Sequence, residues 1–478
     1  MHLLIDGQAL QANHVKGRGI GRYSSNLIDG LLALGKNAKI ELILHTDLEI
    51  PRNIPNGIST LLFTSIPYRK NHLDRSEQEK VEFLYGDWLS NFNPDWILVP
   101  NPMDYDLLVP RFISPKVRVA AIHYDLIPLL FHPVYLKEPF YFTSYASRLR
   151  QLLSFDLLLS ISKTSTNDLV RLFPEAGSRI KTISGATDPF FSFKNDSSEV
   201  TFHLKETLQL NKEFLFHLGG PEPRKNLDGA IRALGYLVHQ YKRDLLLVLV
   251  CNPHSKEKSV LEAIARECGV VDRLRLLPRM NDQELRFLYE NCRVFLFPSY
   301  YEGLGLPVLE AQQIGAPIAL SNVSSLPEFA GVGAALFNPG DPKDIAKSVH
   351  ELLELPRHHG QKERKAFANE FSWQKTALLA WNAMESFKTV EKVASKPKAA
   401  ICISGKLMLE KPLTNLIYPL LEAKKEYLLD LVIDSPLGIT YRAFADLFPI
   451  INVKEFQTRK RMGHYDAILN WNNDGTFT

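Results

Sequence analysis

The chain has 478 residues, 45% of them hydrophobic and 23% charged, with a formal net charge of +3. That length suits about three domains and that composition fills ordinary cores, which excludes bulk disorder. A charge so near neutral leaves no electrostatic footprint for nucleic acid. The four cysteines (Cys251, Cys268, Cys292 and Cys402) form no CxxC pair and have no histidine at zinc spacing. Free thiols in a reducing cytoplasm are therefore expected. The opening MHLLIDGQAL has neither a basic region nor a long apolar run, and so does not read as a signal peptide. The longest apolar run, DLLLVLVC, has the length of a strand and cannot span a bilayer.

Short apolar runs alternate with amphipathic ones along the chain. LLID (3–6) predicts a first strand and IGRYSSNLIDGLLAL a helix; IELILHT, WILVP, VAAIHYD and LLLSIS predict further strands. After about residue 190 the pattern restarts with FLFHLGG, a helix from about Leu227, LLLVLVC, RLRLLP, VFLFPS, the helix PVLEAQQI, PIALS and AALFNP. Strands that are apolar throughout and separated by helices imply buried parallel sheets. Two such series imply two doubly wound α/β domains facing each other across a cleft. The expected boundaries are 1–193 and 194–370, joined near FKNDSSEV, then a helix over 371–388 that returns to the first domain. A charged, proline-bearing linker follows over 389–398. Residues 399–478 then read strand, loop, helix, strand, in the order and spacing of the N-terminus. This weak internal repeat is expected to be the start of a second module, cut short.

The stretch YYEGLGLPVLE (300–310) follows a predicted buried strand. Pro307 suits the first position of a helix and Gly315 the residue past its end. Gly303 and Gly305 allow close backbone approach, and the N–H groups of the first helical turn make an anion site. Glu302 and Glu310 flank that site, where they can hold hydroxyls on either side of a phosphate group. A nucleotide diphosphate sugar has that layout of ribose, phosphates and hexose. Two acids at this spacing alone read more readily as a solvated helix entry, and other residues must decide. Upstream, HLGGPEPRKNLDGAI (217–231) places Arg224 and Lys225 beside a glycine turn at a helix start. Two cations there can neutralise a diphosphate leaving group.

EGLGLPVLE with PRKNL upstream resembles glycosyltransferase family 4, retaining enzymes of the two-domain GT-B fold. KGRGIGRYSSNL (16–27), IHYDLIPL (122–129), LLSISKTS (158–165), ISGATDPFF (183–191) and LPRMNDQELRFLYENCRVFLFPS (277–299) fall in that family's order. The likeness covers about residues 1–388. More narrowly it is to bacterial O-antigen and polysaccharide mannosyltransferases, some with tandem modules.

The resemblance implies roles. Glu310 binds the nucleotide ribose. Glu302 contacts the donor sugar, with Gly303, Leu304, Gly305 and Leu306 presenting backbone N–H groups nearby. Lys225 and Arg224 stabilise the departing phosphate. His123 stands beside the reacting carbon, and Asp125 orients it or binds acceptor. Gly19 and Gly21 approach phosphates or acceptor, and Arg279 and Met280 lie near the base. One departure is that Gly219, Gly220 and Pro221 stand where many members carry an arginine after the strand glycine.

The function implied is retaining, metal-independent transfer of a hexose from a nucleotide diphosphate sugar. GDP-mannose is the favoured donor, with UDP-sugars second and no further cofactor. The acceptor implied is a growing saccharide or lipid-linked saccharide, as in lipopolysaccharide O-antigen synthesis. The place implied is the cytoplasm, with peripheral contact at the inner face of the inner membrane left open. A catalytically degenerate binding or scaffold subunit is the rival class.

Asp104-Tyr105-Asp106 matches the D-x-D pattern of metal-dependent transferases, but a solvated or acceptor-facing loop is the expected state. Gly17-Arg18-Gly19-Ile20-Gly21 lacks the third-glycine spacing of a dinucleotide fingerprint. A histidine that ends a buried strand, as His123 does, is often only a hydrogen-bonded core residue. The DLIP segment after it favours an active-site wall.

Overall fold

A computed structural model describes residues 1–17, 19–51, 54, 58–64, 75–111, 117–192 and 206–387, with four strands beyond them. The expected joint at FKNDSSEV, residues 389–397 of the linker and the tail helix lie outside the described residues. The chain divides into two compact units. One holds Met1–Ile161, Ser165–Ile183 and Ala377–Thr478, and the other Ser162–Thr164 and Ser184–Thr376. The division falls at Ser184, where residue 194 was expected.

The first unit is built on seven parallel strands: β1 (His2–Asp6), β2 (Lys39–His45), β3 (Ser59–Phe63), β4 (Trp96–Val99), β5 (Arg118–His123), β6 (Leu157–Ser160) and β7 (Ile180–Thr182). Their order is β3-β2-β1-β4-β5-β6-β7. The apolar runs of β1, β4, β5 and β6 are buried because helices cover both faces of a parallel sheet. β3 and β7 were not anticipated. β3 is an edge strand that keeps exposed positions, and β7 has only three residues.

The second unit holds β8 (Phe214–Leu218), β9 (Leu246–Val250), β10 (Leu274–Leu277), β11 (Val294–Phe297), β12 (Ile318–Ser321) and β13 (Ala335–Phe337). All are parallel, in the order β10-β9-β8-β11-β12-β13. Its core joins Leu247, Leu249, Val294 and Leu296 to Ala230, Ile231 and Leu234 of the helix Leu227–His239. The strand order reverses between β8 and β11. In open parallel sheets the crevice beyond such a switch point is where ligands bind.

The strands beyond residue 397 are β14 (Lys398–Ile403), β15 (Leu428–Ile433), β16 (Ile450–Ile451) and β17 (Ala467–Asn470). They pair in parallel in the order β16-β15-β14-β17. That is the arrangement of β3-β2-β1-β4 in the first sheet and of β10-β9-β8-β11 in the second. Among the described residues, no helix is long and apolar enough to cross a membrane.

Candidate active site

The segments that leave β8 and β11 run side by side on the second unit. After β8 a short turn, Pro223–Lys225, ends at Asn226, which adopts a left-handed backbone (φ 56°). Asparagine tolerates this region because its short side chain bonds locally. Here Asn226 Oδ1 accepts from Gly229 N at 3.1 Å and caps the Leu227–His239 helix. Its Nδ2 donates to the carbonyls of Pro298 (3.0 Å) and Pro339 (2.8 Å). Tyr300 N donates to Arg224 O at 2.7 Å, and Arg224 Nη1 to Tyr301 O at 3.1 Å. One asparagine and one arginine thus tie the β8 exit to the β11 exit.

These ties set three charges together. Glu302 Oε1 lies 2.6 Å from Lys225 Nζ, and Glu302 Oε2 lies 2.7 Å from Arg224 Nη1. Glu302 and Lys225 are buried. Burial alone raises the Glu302 carboxyl, but Lys225 and Arg224 outweigh it and hold the group below the usual carboxylate range. Burial, and the neighbouring Arg224, lower Lys225 against the pull of Glu302. The sequence pointed the two cations and the glutamate separately at ligand groups. The structure instead has the glutamate occupying both cations.

The glycine turn after Glu302 is fixed by Ser325, whose Oγ lies 2.9 Å from both the Glu302 and Leu304 carbonyl oxygens. Gly305 (φ 103°) is the N-cap of the helix Leu306–Ile314, and Gly315 (φ 92°) its C-cap. The helix opens at Leu306, so Pro307 is its second residue and not its first. Glu310 consequently lies beyond the first turn. It is buried, and its Oε2 accepts from the Tyr289 hydroxyl at 2.9 Å. Arg279 is exposed and Met280 half-buried, in the segment between β10 and the helix Asp282–Asn291.

In the first unit, His123 ends β5 with no exposure; its Nε2 lies 3.2 Å from Ser165 O and its Nδ1 has no partner among the described residues. Burial pushes this imidazole down to about 4, so it is neutral at physiological pH. Asp125 is half-buried, and its Oδ1 accepts from Ile127 N at 2.9 Å. Gly19 is exposed, and a Cβ there would meet nothing. A Cβ on Gly21 would lie 2.5 Å from Val15 O and 2.9 Å from Lys16 Cα. The missing side chain of Gly21 is thus required by its own loop.

In the D-x-D loop, Asp104 Oδ1 accepts from Asp106 N at 2.9 Å and organises its own turn. Asp104 Oδ2 lies 2.9 Å from His14 Nε2. The ligand-type atoms of His14, Asp104 and Asp106 all lie within 4.8 Å of one another.

One residue of the second unit's site was not singled out from sequence. His217, in β8, is fully buried, with Nδ1 3.0 Å from Leu296 O. The available signal was a single histidine inside the apolar run FLFHL.

Residues 200–371 match the family model described as glycosyl transferases group 1. The chain is 28% identical over 399 residues to the serotype-specific mannosyltransferase WbdA of Escherichia coli, covering 80% of this chain and 47% of that protein. It is 30% identical over 229 residues to the O-antigen chain mannosyltransferase B of Escherichia coli, covering 48% of this chain and 60% of that one. The chain therefore spans about half the length of the first of these relatives. In structure it is similar to HepE of Anabaena, solved with UDP and glucose. The TM-score is 0.59 and the identity 15%, covering 81% of this chain and 100% of that one. Residues 200–371 are thus a glycosyl transferases group 1 domain, in a chain of α/β GT-B fold that resembles bacterial O-antigen mannosyltransferases.

Proposed function

We propose that the protein is a retaining hexosyltransferase that moves mannose from GDP-mannose to a saccharide or lipid-linked saccharide of O-antigen type. One observation carries this most directly: two cations and a glutamate meet at the β8/β11 switch point, beside the glycine-capped start of the Leu306–Ile314 helix. The names of the relatives favour mannose as the sugar transferred.

The donor's diphosphate is held by Lys225, Arg224 and the helix start, and Glu310 takes the ribose hydroxyls. Glu302 and the backbone from Gly303 to Leu306 take the hexose. Heterolysis of the anomeric C–O bond leaves its electron pair on the diphosphate and an oxocarbenium-like sugar. The acceptor hydroxyl attacks from the face the diphosphate leaves, and its proton passes to a departing phosphate oxygen. The growing negative charge is met by Lys225, Arg224 and the helix, and no step is assigned to a metal. His123 and Asp125 wall the reacting carbon and the acceptor. Gly19 approaches ligand, and Arg279 and Met280 lie by the base. Work at the inner face of the inner membrane, as a peripheral protein, follows from a lipid-linked acceptor.

We also propose that residues 399–478 begin a second module of the same kind, a reading supported by the shared strand order.

A panel of nucleotides and nucleotide sugars, read by thermal stabilisation of the wild type and of Glu310→Ala and Lys225→Ala, tests the site. Stabilisation by GDP and GDP-mannose, lost in both variants, is expected. Selective stabilisation by UDP species would replace the mannose donor, and no stabilisation by any nucleotide would leave a binding or scaffold subunit.

A further inference from the structure

We propose that His217 is a positioning residue for the transfer. Its Nε2 is the second acceptor for the Lys225 ammonium, taking it over when Glu302 turns to the hydroxyls of a bound donor. This rests on the diphosphate-sugar reading of the site and adds a residue that reading does not contain.

The protonation of the ring follows from its partner. A carbonyl oxygen can only accept, so Nδ1, at 3.0 Å from Leu296 O, carries the proton. Burial, reinforced by Lys225, pushes the imidazole down to about 4, so the ring is neutral. Nε2 is then a bare lone pair, and it is a buried atom with no hydrogen-bond partner among the described residues. A buried acceptor left without a donor is unfavourable, and such atoms are rare.

The lone pair and the lysine share one space. A Cβ on Gly219 would lie 3.0 Å from His217 Nε2, 3.1 Å from Lys225 Cδ and 3.3 Å from Lys225 Cε. Glycine at 219 therefore keeps open the gap that ring nitrogen and lysine stem both border. Both groups also lie against Phe297. The imidazole stacks on it at 5.6 Å and 29°, and Lys225 Nζ sits 5.2 Å from its centroid.

Glu302 Oε1, at 2.6 Å, is a charged partner of Lys225. A buried ammonium has three N–H donors and is costly to leave unpaired. If Glu302 rotates to accept sugar hydroxyls, the lysine needs another acceptor that does not pull it from the diphosphate. A neutral ring nitrogen on the same strand exit supplies it.

Three variants separate acceptor from packing. His217→Asn keeps a donor for Leu296 O and removes the acceptor at the Nε2 position, His217→Gln restores an acceptor near that position, and His217→Phe keeps only the stacked ring. Transfer kinetics and GDP affinity are measured for each, with melting temperature as the folding control. The expected result is a fall in kcat of about tenfold or more in His217→Asn and His217→Phe, the scale of one lost hydrogen bond to a charged group. His217→Gln is expected to stay within about threefold of wild type, on the same scale. In ¹⁵N-histidine-labelled wild type, GDP-mannose should shift the His217 Nε2 resonance upfield.

Equal losses in His217→Gln and His217→Asn, or an unmoved Nε2 resonance in a wild type that binds GDP-mannose, would overturn the proposal and leave His217 a packing residue. A wild type that binds no nucleotide diphosphate would instead remove the function on which it rests, and the proposal with it.

Discussion

Replacing Glu302 by glutamine should weaken the fold, tighten nucleoside diphosphate binding and slow transfer, all at once. The carboxylate sits 2.6 Å from Lys225 and 2.7 Å from Arg224, and the glutamine amide cannot neutralise either. Removing one partner of a buried pair costs about 3–5 kcal/mol. Arg224 retains partial solvent contact, which puts the expected loss near the lower end, about 3 kcal/mol. Binding should move the other way. A carboxylate one cation away from a phosphate is about 7 Å from it, and at an effective dielectric of about 20 it opposes that phosphate by about 2 kcal/mol. Without it, GDP should bind roughly 30-fold more tightly, about 1.4 kcal/mol being a factor of ten. Transfer should nonetheless fall, because Glu302 is assigned to the hexose. Calorimetric titration with GDP, beside thermal unfolding and turnover, reads all three. A folded Glu302→Gln protein that binds GDP no better than wild type would refute the idea that the glutamate competes for the cations.

Other perturbations carry signs that the structure fixes. Lys225→Ala should lower kcat by about 10²–10³-fold, as removal of one charge-stabilising donor does. Acid sensitivity should reflect His123 and His217, both held near 4 by burial. The unfolded chain takes up these protons as pH falls past about 6.5, whereas the folded protein does not until about 4. Stability is thus full above 6.5, is lost between 6.5 and 4 by about 3 kcal/mol per histidine, and is level below. Urea titrations at stepped pH check this, and His217→Phe should flatten its share. Gly21→Ala should destabilise by about 1–3 kcal/mol, because its Cβ meets backbone at Val15 and Lys16, while Gly19→Ala should leave the melting temperature unchanged. Tyr289→Phe removes the hydroxyl bonded to Glu310 and should weaken GDP binding about fivefold, near 1 kcal/mol.

Strands whose every residue is buried, such as LLVLV and VFLF, were legible because a parallel sheet leaves them no solvated face. STLLF escaped because an edge strand keeps exposed positions. At the site, PRKN and EGLGLPVLE were recognisable because glycine, proline and a clustered pair of cations have local conformational and electrostatic reasons. What could not be read was pairing across distance. Lys225 and Glu302 are 77 positions apart, and nothing in local spacing says that they touch. Nor does local spacing show that Gly21 is demanded by the backbone of Val15, or that His217 presents a bare nitrogen toward Lys225. Each depends on which turn a neighbouring segment takes once the sheet is built.

The switch point also fixes the order in which the charges can be hidden. β8 pairs with β9 on one side and with β11 on the other, and β10 is reached before β11 along the chain. A chain that has assembled β8, β9 and β10 already holds Arg224 and Lys225 beside the β8 exit, with Glu222 of the same turn near Lys225 but Glu302 not yet in place. Closing the loop to β11 adds an entropic cost that grows only slowly with its length. Until that closure, the two cations lack Glu302. Polyanions should therefore capture this intermediate during refolding and slow the last step, and high salt should release it. The glutamate that completes the site is also the residue that ends the period in which the folding chain attracts stray anions.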